Sequence, residues 1–344
     1  MAARVWITRE GRAGTGLRYR LPSGTLVRSQ QELDRIEALR IPPAWRRVHI
    51  AANPRAAIQA WGIDARGRKQ YRYHPRAVER GQQRKYYRVR SLARSLPTIR
   101  HQLWQDCRSP EPTRERVAAV VVRLLSEGFF RVGSERYARE NHTVGIATMR
   151  KKDVRVDGEA IIFHYVGKGS IAHRQVVVDP AVRCLVEEML QTPGARLFRY
   201  RTEQGWSNLR ARDVNAYIRG LTGARYSAKD FRTWGGTLRV ATVLSDLGRP
   251  ASAREAKRNV VLAVRLAAAE LGNTPAICRK SYVHPIVIAR YLDAGVTITP
   301  RPVRRPRAGR PPSIHESEER ALIRFLDRYF PERRRRSRAR DRAA

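Results

Sequence analysis

The chain has 344 residues, with 70 Lys plus Arg against 31 Asp plus Glu and a formal net charge of +39. That length accommodates two domains with real cores, and that charge is the footprint of a polyanionic partner, most simply nucleic acid. No apolar run nears the ~20 residues of a membrane span, no apolar signal core opens the chain, and Cys107, Cys184 and Cys278 form no CxxC pair, which argues against structural zinc or a disulfide framework and for a reducing cytoplasm.

Residues 1–88 read as a small β-rich domain. Val5-Trp6-Ile7, Leu17-Arg18-Tyr19, Val48 to Ala51, Ile58 to Trp61 and Gln70 to Tyr73 are short strand-like runs split by Gly and Pro turns. Ser29-Gln30-Gln31-Glu32 has the spacing of a capping box and opens a helix to about Leu39. Tyr71 and Tyr73 alternate with Arg72, so they share one strand face. Aromatic residues interleaved with bases suit a nucleic-acid surface, and a half-buried strand face has the same pattern. Gly81 to Lys85 reads as a hinge or the start of a connecting helix.

Residues 89–300 read as a second, mainly helical domain. Val117, Val120, Val121, Leu124 and Leu125 follow the spacing of a buried helical stripe ending near Gly128. A loop then carries Phe130-Arg131-Val132-Gly133. Val154 to Gly158 has a hairpin signature, Ile161 to Val166 is a strand, and Gly167-Lys168-Gly169-Ser170 is a turn before the strand Val176 to Val178. Residues 181–295 read as mainly helical. Within them Ser227 is an N-cap with Asp230 as its acidic third position, which puts Arg232 in the first turns of a helix. The segment 301–344, with 15 Arg against 6 acidic residues, reads as a basic tail: an amphipathic helix over 314–330, disordered flanks, and nonspecific phosphate contact through Arg333 to Arg336. Its removal is expected to leave the chemistry intact.

Near the end of the second domain, Gly272 closes an Ala-rich helix, Thr274-Pro275 reads as N-cap and first helical position, and a short helix delivers Tyr282 beside Arg279 and Lys280. A phenol has a pKa near 10, and nearby cations favour the phenolate, so a covalent role becomes possible; an interfacial tyrosine on a basic helix is the alternative. Only eight of the basic residues are Lys, among them Lys168 and Lys229. Lys can donate a proton where Arg cannot. Arg131, Lys168, Arg232 and Tyr282 together suit phosphodiester cleavage. Two guanidinium forks clamp the charge that builds on the nonbridging oxygens, a Lys protonates the leaving oxygen, and a Tyr holds the phosphate. That chemistry needs no metal, and the sequence shows no acidic metal-binding cluster.

With those motifs in place the sequence resembles the type IB DNA topoisomerases, in particular the compact bacterial enzymes akin to those of poxviruses. The matching stretches are Phe130-Arg131-Val132-Gly133, Val166-Gly167-Lys168, Lys229-Asp230-Phe231-Arg232-Thr233 and Lys280-Ser281-Tyr282, and the likeness runs to about Gly295. The resemblance implies an α+β architecture, a β-rich N-terminal clamp domain before a mainly helical catalytic domain with a β-hairpin segment. It implies a 3′-phosphotyrosyl bond to Tyr282, transition-state stabilisation by Arg131 and Arg232, and Lys168 as general acid. The substrate would be supercoiled duplex DNA, relaxed without ATP, metal or other cofactor by a cytoplasmic, nucleoid-associated monomer. Tyr71, Tyr73, Lys229 and Lys280 would contact the DNA. Many relatives carry a His nine residues before the nucleophile; here Asn273 stands there, as in the bacterial branch, and an amide donates the same hydrogen bond without charge.

The nearest rival is a tyrosine recombinase. Such proteins typically carry a His three residues before the second Arg, where this chain has Lys229, and a helical rather than β-rich N-terminal domain. A rival of another class, a non-catalytic architectural DNA binder, explains the charge but not the Arg-Lys-Arg-Tyr order.

Overall fold

The computed structural model describes residues 6–12, 16–223, 226–302 and 315–330. By its contacts the chain divides into two compact units, Met1–Lys85 and Tyr86–Ala344.

The first unit is a five-stranded antiparallel sheet of order β2-β1-β3-β4-β5, built from β1 (Trp6–Arg12), β2 (Gly16–Arg20), β3 (Arg46–Ala51), β4 (Ile58–Ile63) and β5 (Lys69–Tyr73). Helix α1 (Gln30–Ala38) packs Ile36 with Ile7, Val48, Ile50 and Ala60 into a small core. The five strand-like runs read from the sequence are these strands, except that Val5 lies outside the described residues. The capping box is half formed. Ser29 Oγ accepts the Glu32 N–H at 3.4 Å, but the Glu32 carboxylate pairs with Arg35 instead of returning to the cap.

Helix α2 (Pro75–Cys107) carries the chain into the second unit. The stretch 81–85, expected as a hinge or helix start, is helix interior. One Gly costs a helix only about 1 kcal/mol, too little to stop a run of good formers on either side. The second unit continues with α3 (Arg114–Gly128), α4 (Glu135–Asn141), the antiparallel sheet β6 (Val154–Asp157), β7 (Ala160–Gly167) and β8 (Ile171–Val178), and α5 (Pro180–Gln191). A hairpin of β9 (Arg199–Thr202) and β10 (Gly205–Asn208) follows, then α6 (Ala211–Thr222), α7 (Ala228–Leu247), α8 (Ala253–Leu271), α9 (Pro275–Tyr282), α10 (Pro285–Ala294) and α11 (Glu316–Tyr329). The β9–β10 hairpin interrupts a region read as helical. Its signal is present in hindsight: Tyr200, Thr202 and Trp206 favour strands, and Gly205 takes the turn at φ +109°.

Helix α3 is the axis of the second core. The expected stripe is buried, and Ala118, Ala119 and Val122 on its other sides are buried as well. The middle turns of α3 are interior on most sides, and its Arg116 and Arg123 pair with Glu188 and Asp179 at the margins. Among the described residues no single helix is long and apolar enough to cross a membrane.

Within the segment read as a basic tail, the amphipathic helix expected over 314–330 is α11, and it packs into this core. Ala321, Leu322, Phe325 and Leu326 are buried in it. Glu319, 6% exposed, makes a bidentate ion pair with Arg100 of α2 at 2.7 and 2.8 Å and accepts the Trp234 indole N–H at 3.3 Å. The flanking basic runs, 303–314 and 331–344, lie outside the described residues. Truncation after residue 314 is therefore expected to destabilise the protein. It strips apolar cover and leaves Arg100 buried without its carboxylate, each a loss of several kcal/mol. The melting temperature should fall by at least ~10 °C, at about 2–4 °C per kcal/mol for a unit of this size. Calorimetry compared with truncation after residue 330 checks this; equal melting temperatures would contradict it.

Candidate active site

Local sequence sets each wall of one cleft in the second unit. Thr274 caps α9, its Oγ1 accepting the Ile277 N–H at 3.3 Å, with Pro275 at the first helical position. Eight residues later the helix ends on Tyr282, which is half-buried. Thr237 of α7 holds the turn that follows: its Oγ1 lies 3.1 Å from the Tyr282 carbonyl oxygen and accepts the His284 N–H at 3.1 Å. Tyr86 donates its hydroxyl to the Val283 carbonyl at 2.8 Å.

The glycine pair in the middle of α7 explains how close these parts come. A Cβ on Gly235 would lie 2.2 Å from the Phe129 ring, and one on Gly236 would lie 3.1 Å from the Tyr282 Cβ and carbonyl oxygen. Two interior glycines weaken a helix by about 1 kcal/mol each. Here they admit the chain that carries Arg131 on one side and the tyrosine on the other.

Arg232 stands one turn before that pair and is 4% exposed. The start of its helix is held by Asp230, which accepts from the Ser227 N–H and hydroxyl at 2.9 Å each and from Arg88 at 2.9 Å. The Arg232 guanidinium donates to the carbonyls of Phe129 and Leu271, the latter at 2.7 Å, and its carbon lies 5.2 Å from the Tyr282 ring centroid. Burial, and then the neighbouring Arg131, push its pKa down to about 10, so it remains a cation at neutral pH. Its Nε is buried with no acceptor among the described residues.

Arg131 follows α3 in a loop and reaches across to the turn between α8 and α9. Its Nη2 donates to the Gly272 carbonyl at 2.7 Å and to Asn273 Oδ1 at 2.6 Å. The Asn273 amide nitrogen lies 3.4 Å from the Leu271 carbonyl oxygen. Asn273 is thus neither a cap of α9, which is Thr274's role, nor a wall of the cleft; it holds Arg131 from behind. Lys168 is exposed in the turn between β7 and β8. Arg131, Lys168, Arg232, Tyr282 and Lys229 all line one cleft of about 280 Å³. Lys280 is exposed on α9 outside that wall. Tyr137 of α4, 54% exposed, lines the cleft too and was not singled out in the sequence, because one tyrosine on a short polar helix carries no pattern.

The family profile described as "Eukaryotic DNA topoisomerase I, catalytic core" matches residues 75–296 and so spans all of these side chains. The chain belongs to the type IB DNA topoisomerase family. A second profile, "Bacterial DNA topoisomerase IB, N-terminal domain", matches residues 16–64. The chain is 31% identical over 271 residues to DNA topoisomerase 1B of Acanthamoeba polyphaga mimivirus, covering 76% of this chain and 81% of the relative. To DNA topoisomerase 1B of vaccinia virus (strain Copenhagen) it is 24% identical over 247 residues, 67% of this chain and 72% of the relative. A type IB topoisomerase is an isomerase that acts on DNA, and the α+β architecture read from the sequence is the one observed, a β-sheet unit before a mainly helical one. Neither the recombinase nor the architectural reading is favoured by these relatives.

In the first unit, Tyr71 (39% exposed) and Tyr73 (51%) share a sheet face, with ring centroids 5.8 Å apart. Their strip extends further than the sequence suggested. Trp61 pairs in register with Tyr71 on one side and His49 on the other, stacks on His49 at 4.0 Å, meets Trp6 edge-on at 6.3 Å, and carries the Lys69 ammonium 3.8 Å from its ring centre. Residues far apart in sequence form this strip, so only strand order reveals it.

Proposed function

We propose that this topoisomerase relaxes supercoiled duplex DNA through Tyr282, and that Arg131, Lys168 and Arg232 form the rest of its catalytic set. The observation that carries the reading is the convergence of these four side chains on one cleft from four separate stretches of chain. The Tyr282 oxygen attacks the scissile phosphorus. A 3′-phosphotyrosyl bond forms as the bond from phosphorus to the 5′-oxygen breaks. The two guanidinium groups take the charge that grows on the nonbridging oxygens; the buried, unpartnered Nε of Arg232 supplies one preorganised N–H. Lys168 donates a proton to the departing 5′-oxygen, and the tyrosyl proton passes to water. The free end swivels and the steps reverse. The ester energy is kept in the phosphotyrosyl bond, so no ATP is consumed.

All four side chains come from a single chain, which supports action as a monomer. Lys229 at the cleft and Lys280 on α9 contact backbone phosphates, and the exposed face of Tyr71 and Tyr73 meets DNA by stacking and charge. The test is relaxation of a supercoiled plasmid in EDTA without ATP, followed by denaturant quench. Relaxed circles and a covalent protein–DNA adduct are expected; binding without either would refute the proposal.

Asn273 supplies a graded prediction. Losing its grip on Arg131 should slow single-turnover cleavage by up to about 10²-fold in Asn273→Ala, the low end for one transition-state donor. Asn273→Asp should be slower than Ala, because its carboxylate would tie up Arg131 and repel the phosphate. Asn273→His restores a neutral acceptor and should recover much of the rate. An Asp variant with near-natural cleavage would show that Asn273 has no part in the chemistry.

A further inference from the structure

His173 is a buried imidazole that the mechanism above does not use. It sits on β8 opposite Tyr165 of β7, is 8% exposed, and stacks on that tyrosine with ring centroids 5.0 Å apart. It is not part of the cleft wall that holds Tyr282. Its Nε2 is buried with no hydrogen-bond partner among the described residues, so polar bonding does not account for its place.

Its ring fills the gap between two glycines that matter to the site. A Cβ on Gly167 would stand 2.5 Å from the ring's Cδ2 and 2.6 Å from its Nε2. A Cβ on Gly272 would stand 1.7 Å from Cε1. Gly167 immediately precedes Lys168. Gly272 gives its carbonyl to Arg131 and immediately precedes Asn273, the other acceptor of the same guanidinium nitrogen. One flat ring therefore spaces the turn that carries the lysine from the turn that holds the first arginine. Burial, then Arg131 and Arg232, lower the imidazole's pKa below its ordinary value, which keeps it uncharged at neutral pH and makes its contribution steric.

We propose that His173 is a positioning residue: it sets the register of the Lys168 turn against the Gly272–Asn273 turn, and so the placement of Lys168 over the leaving oxygen. The proposal rests on the reading of Lys168 as general acid. A displacement of about 1 Å of a catalytic group costs on the order of 10²-fold.

The experiment measures single-turnover cleavage of an ordinary duplex and of one with a 5′-bridging phosphorothiolate, whose sulfur leaves without a proton donor. His173→Ala should be slowed by about 10- to 10²-fold on the first substrate and recover most of that loss on the second. Gly167→Ala, which keeps the histidine but drives a methyl into its ring, should show the same defect and the same recovery. In Gly167→Ala/His173→Ala the methyl occupies vacated space, so the double variant should be faster than the product of the two single defects predicts. Lys168→Ala is the control. If it recovers on the phosphorothiolate while His173→Ala and Gly167→Ala are equally slow on both substrates, His173 does not act through Lys168 and the proposal is overturned. If Lys168→Ala itself does not recover, the general-acid reading fails and the double-variant cycle decides the spacing claim: strictly multiplicative defects overturn it, and a rate above the product upholds it.

Discussion

Tyr282→Phe is expected to bind duplex DNA nearly as well as the natural protein and to form no covalent adduct. Affinity for a duplex is mostly phosphate electrostatics, and with a formal charge of +39 one hydroxyl contributes little to it. Ser134, Tyr137 and Thr143 also bring hydroxyls to the cleft, but Tyr282 is the one packed beside the buried Arg232, so none of the three is expected to replace it. The ring stays packed beside Arg232, so the substitution should not disturb the fold. Relaxation and adduct formation should fall below detection while a gel-shift midpoint moves by less than about threefold. Persisting adduct in this variant would mean that another residue is the nucleophile.

Lys168→Ala should slow cleavage by about 10² to 10⁴, the range for a positioned proton donor. Its exposure in the turn after β7 argues for the lower half of that range in the free enzyme's geometry, because a solvated site lets water stand in for the missing acid. Lys168→Arg should not restore the rate: the charge remains, but a guanidinium with a pKa above 12 is a poor proton donor. The 5′-bridging phosphorothiolate should remove most of the Lys168→Ala defect and leave that of Arg232→Ala in place, since Arg232 acts on the nonbridging oxygens. Equal recovery of both variants would dissolve the distinction between the two roles.

How much of this was legible in the sequence depended on the range of the interaction involved. The caps at Thr274 and Ser227, the turn at Gly167 to Ser170 and the apolar period of α3 are local, and they placed Tyr282, Arg232 and Lys168 on the right elements. The β9–β10 hairpin was missed because four-residue strands carry too few alternations to outweigh a helical context. The helix expected over 314–330 is α11, but its packing was not legible: the composition there is dominated by Arg, whereas the place of α11 turns on four apolar side chains and on Glu319 meeting a buried Arg100.

The sequence by itself determined the charge that points to a polyanionic partner, the β-rich-then-helical architecture, and the order along the chain of Arg131, Lys168, Arg232 and Tyr282, the residues proposed to act. Charge, periodicity and motif order are properties of the chain that survive without coordinates. Only the tertiary structure decided that these residues share one cleft, that Asn273 serves Arg131 rather than capping α9, that α7 needs glycines at 235 and 236, and that His173 stands between Gly167 and Gly272. Each of those facts is a contact between segments far apart in sequence. Such contacts follow from how whole elements pack, and packing depends on volumes and distances that no local pattern encodes.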